Sequence, residues 1–103
     1  MTATYISVMK ALDDAGLCAL EELRGICMRI DECCVDFGCE RLEVLADPVD
    51  ASLELTLFFD DIIMEHGRKH PFFEAIKTAC MVEFSAKDDL PVVKIQYTNL
   101  SKN

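Results

Sequence analysis

The stretch Cys18–Gly38, CALEELRGICMRIDECCVDFG, decides how this chain is built. Leu20, Leu23, Cys27, Ile30, Cys34 and Phe37 recur at alternating spacings of three and four. That spacing lines one face of a 3.6-residue helix. Ala19, Ile26 and Cys33 widen the stripe to the breadth that a core-facing helix needs. Gly16 punctuates the chain before the stretch, and Gly38 stands where a left-handed residue would end a helix. The pattern therefore predicts one long amphipathic helix over Cys18–Gly38.

Upstream, Thr4–Ala15 reads as a shorter helix with Tyr5, Val8, Met9 and Leu12 on one face. With Gly16 as its stop, the two helices are expected to form an αα-hairpin. Downstream, Arg41–Ala46 alternates weakly, and Asp47-Pro48-Val49-Asp50 has the chemistry of a turn. Leu53, Leu55, Leu57 and Phe59 then alternate with Glu54 and Thr56, a strand period with one lapse at Phe58. A helix from Pro48 to Gly67 is the competing reading, and it would align Asp50, Glu54, Asp61 and Glu65 on one acidic face. The tight alternation favours the strand.

Residues 66–70 read as a loop, and Pro71 suits the first position of a helix carrying Phe73, Ile76 and Ala79 or Cys80 inward. Met81–Ala86 and Val92–Thr98 are the clearest strands, with Lys87–Pro91 between them. The expected order is α-α-β-β-α-β-β, an α+β domain of about four antiparallel strands with helices on one face. At 103 residues the chain is expected to form one domain around a single core.

The net charge of −9 is uneven. Residues 13–65 carry fifteen acids against Arg24, Arg29 and Arg41, whereas residues 66–103 carry six Lys and Arg against four acids. Such a field repels phosphates and anionic lipid surfaces, so neither direct nucleic-acid binding nor membrane binding is expected. No apolar run approaches the roughly 20 residues that span a bilayer. Met1–Leu12 shows no secretory pattern, which points to the cytoplasm and to six reduced cysteines. Cys27 and Cys34, two turns apart on one helix, would lie about 10 Å apart, too far to bridge.

Catalytic chemistry finds little to use. There is no phosphate-binding glycine loop, no G-x-S-x-G and no H-E-x-x-H. The cysteines of the long helix sit beside Asp31, Glu32 and Asp36, which disfavour a thiolate. Cys34, Cys39, His66 and His70 are the donor types of a zinc site, but twenty-six residues separate the pairs, and Cys34 belongs to the core stripe. His66, Arg68, Lys69 and His70 precede a helix start without any glycine cradle, which reads as a solvated loop. No enzyme and no cofactor are expected.

Contact surfaces are the remaining candidates. Glu21, Glu22, Glu32 and Asp36 fall outside the apolar stripe and would form an acidic surface, extended by Asp50, Glu54, Asp61 and Glu65. Met28 and Val35 lie one heptad apart away from the stripe, beside Gly25, and Phe58 and Phe72 each neighbour a Phe already directed inward. These four suggest an apolar interface, for a homodimer or another protein. The leading expectation is a small acidic interaction protein whose partner carries a basic surface. Within that class stands an inhibitor that imitates DNA, in the manner of phage-encoded anti-CRISPR proteins. The competitors are a dimeric chaperone or adaptor, and a small metal- or thiol-dependent protein.

Overall fold

Helix α1, Ala3–Ala15, buries Thr4, Val8 and Leu12, a strict i, i+4, i+8 row. In this computed structural model, which describes residues 3–37, 39–59, 74, 77, 80–87 and 89–103 (side chains of 33–37 and 39–40 excepted), the helix ends at Gly16. Gly16 takes φ 69°. Its N–H donates to the Asp13 carbonyl at 3.1 Å, and the Leu17 N–H donates to the Leu12 carbonyl at 2.9 Å. That pair of bonds is the Schellman stop, completed by burial of both Leu12 and Leu17.

Helix α2 spans Leu23–Phe37 and buries Leu23, Ile26, Cys27 and Ile30, so the apolar stripe is the core face over the described side chains. The helix starts later than Cys18. The backbone there is engaged elsewhere: Leu17 pairs with Lys102, and the Cys18 N–H donates to the Ser101 carbonyl at 2.7 Å. Leu20 still packs on the core from this non-helical stretch, while Ala19 is exposed. Thr4 near the start of α1 donates its hydroxyl to Asp31 in the second half of α2, so the helices run antiparallel as a hairpin. Cys33, Cys34 and Phe37 lie outside the described side chains, and Gly38 lies outside the described residues.

Four strands follow: β1 Cys39–Asp47, β2 Ser52–Phe59, β3 Met81–Lys87 and β4 Leu90–Tyr97. They form one antiparallel sheet in the order β1-β2-β4-β3. In the β1–β2 turn, Asp47 accepts the N–H groups of Val49 at 2.8 Å and Asp50 at 3.3 Å, the local bonding for which Asp is favoured in turns. Residues 52–59 are thus a strand, not a helix. β3 and β4 are longer than predicted and pair as far as Lys87 with Leu90, and Asp89 just before Leu90 takes φ 63°. Pro91 fits inside β4 because β2 pairs only as far as Val92, so on that side no ladder bond is lost.

The general class is α+β, with two helices and four strands among the described residues. The predicted third helix from Pro71 falls outside them except at Glu74, which is helical, and Lys77. Leu53, Leu55, Leu57 and Phe59 of β2 and Val93, Ile95 and Tyr97 of β4 share one core with the helices. Each such side chain contributes roughly 1.5–3 kcal/mol on burial. Leu42, Val44, Ala46, Val82 and Phe84 flank it, partly buried. The tail closes the structure: Leu100 is buried, its N–H donates to the Ala51 carbonyl, and the Asn103 N–H donates to the Gly16 carbonyl, both at 2.9 Å. No helix among the described residues is long and apolar enough to cross a membrane.

Candidate interaction surfaces

The sheet has two faces of different chemistry, because strand side chains alternate. One packs on the helices. The other is built from three cross-strand rungs: Arg41-Phe58-Val92-Ser85, then Glu43-Thr56-Lys94-Glu83, then Leu45-Glu54-Gln96-Met81. A register irregularity between Cys39 and Arg41 sets Arg41 opposite Phe58. The Arg41 guanidinium lies 4.0 Å from the Phe58 ring centre, and the Lys87 ammonium lies 5.9 Å from it.

Charges on this outer face are largely paired, Glu83 being the exception among the described residues. Glu43 meets Arg41 at 3.7 Å and Lys87 at 3.5 Å, and Glu54 meets Lys94 at 3.1 Å. The hydrogen bond that Lys94 donates to Glu54, then the Glu54 charge, holds the ammonium above its ordinary pKa, with a smaller push from Glu83. The Lys87–Glu43 pair joins the two edge strands, whose backbones would stand about 14 Å apart in a flat sheet. Side chains that project off the strands meet over that span only when the sheet curls. The curl leaves a trough of about 300 Å³ with Thr56 and Val92 on its floor and Ser85, Ala86 and Leu45 on its walls.

The helical layer differs. Asp13, Asp14, Glu21, Glu22 and Glu32 are exposed and make no ion pair among the described residues. The helix α2 backbone carries Asp36, whose side chain is not described, and Asp50 is exposed at the β1–β2 turn. Glu54 does not join them: as a strand residue it faces the trough and pairs with Lys94. The single acidic row of Asp50, Glu54, Asp61 and Glu65 depended on a helix that residues 52–59 do not form, and Asp61 and Glu65 lie outside the described residues.

Of the expected apolar contact residues, Met28 is 47% exposed on α2, and the space beside Gly25 is open. Phe58 is fully buried beneath its cations, so it is no exposed contact. The Val35 side chain and Phe72 are not described. Neither are the Cys34 and Cys39 side chains, nor His66 and His70. Among the described residues no cluster of three metal-donor side chains occurs.

The thiols of Cys18, Cys27 and Cys80 form no disulfide among the described residues. Burial, with the nearby Asp31 charge, pushes Cys27 up to about 11. Burial also raises Cys80, against which the buried Tyr97 hydroxyl rests, and raises that hydroxyl in turn. Neither Cys27 nor Cys80 is thereby prepared as a nucleophile. Sequence reasoning passed over Lys87, Lys94 and Glu43. Only the strand register brings them together, and the lapse at Phe58 was the one sign that β2 is buried on both faces. Compared with known proteins, the chain matches no family model, no curated protein and no solved structure.

Proposed function

We propose that this protein is an acidic interaction module that docks its helical side on a basic surface of another protein. One observation carries the reading: on the outer sheet face every charge but Glu83 has an opposite partner, whereas the exposed acids of the helical layer make no ion pair among the described residues. Their placement is also poor for stability. Asp13 and Asp14 sit in the last turn of α1 and Asp36 in that of α2, and neither last turn holds a basic residue. A carboxylate there opposes the helix dipole by about 0.3–1 kcal/mol. Recognition of a cationic partner offsets that cost in the complex.

A basic nucleic-acid channel is the partner of this chemistry, and the module acts as its antagonist in the cytoplasm. Glu21 and Glu22 stand just before α2 and Glu32 lies on it, so the carboxylates are spread along the layer as phosphates are along a strand. The test is recovery of the partner by pull-down from source cells, then association kinetics against salt. Reversing Glu21, Glu22, Glu32 and Asp36 to Lys moves the net charge from −9 to −1. Association should slow by about tenfold or more while the fold persists. Binding that survives both the reversal and about 0.5 M salt, where the Debye length is only about 4 Å, would assign recognition to apolar residues such as Met28.

A further inference from the structure

The trough on the outer sheet face lies apart from the acidic helical layer and has a distinct chemistry. Two ion pairs face one concavity, Lys87 with Glu43 at 3.5 Å and Lys94 with Glu54 at 3.1 Å. Both ammonium groups and both carboxylates line the same 300 Å³. The floor combines the Thr56 hydroxyl with the Val92 methyls, and Leu45, 62% exposed, forms an apolar wall.

We propose that this trough binds a small zwitterion, a free α-amino acid with an aliphatic side chain. Charge complementarity selects it. An anion alone would meet Glu43 and Glu54, and a cation alone would meet Lys87 and Lys94. A molecule carrying both signs places its carboxylate toward the lysines and its ammonium toward the glutamates, so every protein charge gains a further counter-ion. The volume is at the small end for ligand sites, which suits an amino acid rather than a drug-sized molecule. Leu45, beside Glu54 at one end of the trough, then takes the aliphatic side chain out of water. The pairs are partly exposed, with Lys94 38% and Glu54 26% accessible, so the side chains are free to shift onto a ligand.

The experiment is a titration of the protein with leucine, N-acetyl-leucine and leucine amide, followed by amide chemical shifts. Leucine should bind with a Kd on the order of 0.1–1 mM and shift the amides of residues 43, 56 and 94. Each blocked derivative loses one charge and should bind about tenfold more weakly or worse. Lys94→Met keeps the aliphatic stem and should weaken leucine to the same degree, with the spectrum otherwise unchanged. Three results overturn the proposal: no shifts with leucine at about ten times that Kd, equal binding of all three compounds, or shifts at the trough that follow protein concentration alone. The last would make the face a contact between two copies. The ligand series decides the matter even if Lys94→Met fails to fold, and none of these outcomes bears on the acidic helical surface.

Discussion

Replacing Leu55 and Leu57 by Ala, one at a time, tests the element on which the architecture depends. Both side chains are fully buried, and both point from β2 into the core. On a helix, residues two apart stand about 200° from each other, so a single buried face could not hold both. On a strand they share a face. Each truncation removes a buried isobutyl group and leaves a cavity, at a cost of about 2–5 kcal/mol. For a domain of this size roughly 3 kcal/mol lowers Tm by about 12–24 °C. Leu45→Ala is the control, since Leu45 opposes Glu54 on the outer face and is 62% exposed; it should change stability by no more than about 0.5 kcal/mol. Urea denaturation followed by circular dichroism gives all three values, with an unchanged m-value showing that the unfolded state is comparable. A near-silent substitution at either Leu55 or Leu57 would refute the two-faced strand.

Phe58→Ala should cost about 3–5 kcal/mol despite lying on the outer face, because the ring is buried beneath Arg41 and Lys87; a loss below about 1 kcal/mol would mean that the cations do not enclose it. With its pKa at about 11, Cys27 should react with a thiol reagent at pH 8 at least a hundredfold more slowly in the native protein than in denaturant, a ratio near one being the adverse result. Folding raises both Cys27 and Tyr97, so their stabilisation is complete below the unfolded values and is lost as pH rises. Denaturation at pH 9 and 11 should show the Cys27 part as a loss on the order of 2–3 kcal/mol. Ala51 holds φ 52° without a side chain that suits it, so Ala51→Gly should stabilise by up to about 1 kcal/mol in the same denaturation assay.

Periodicity carried the core of the domain into view. Val8, Leu12, Leu23, Cys27, Ile30 and the alternating residues of β2 and β4 are apolar at the spacing of the element they form, so local pattern and tertiary burial agree. The start of α2 was misread for a tertiary reason. Residues 18–22 have a helical pattern, but the tail at Ser101–Asn103 claims the backbone at Gly16–Cys18, and no local signal announces a partner some eighty residues away. The trough was hidden for the same kind of reason. Glu43, Glu54, Lys87 and Lys94 each look like ordinary solvated charges until strand order and register set them around one concavity. Glu32 was legible as exposed because exposure on an amphipathic helix follows from its period, whereas Glu21 and Glu22 are exposed in the turn before α2. The sequence also supplied their net charge, but not the pairing that leaves the outer sheet face balanced.

The order β1-β2-β4-β3 makes the last strand in the chain the one that holds the sheet together. β2 and β3 touch only through β4, so before residues 90–97 arrive the chain can form the β1–β2 hairpin but no complete sheet. During synthesis at roughly 5–20 residues per second, β4 follows Phe59 by about 2–6 s. Throughout that interval the apolar edge of β2 has no permanent neighbour, and such an edge is a template for foreign strands. Nascent chains should therefore be most prone to aggregation, and most dependent on chaperones, just before β4 is released.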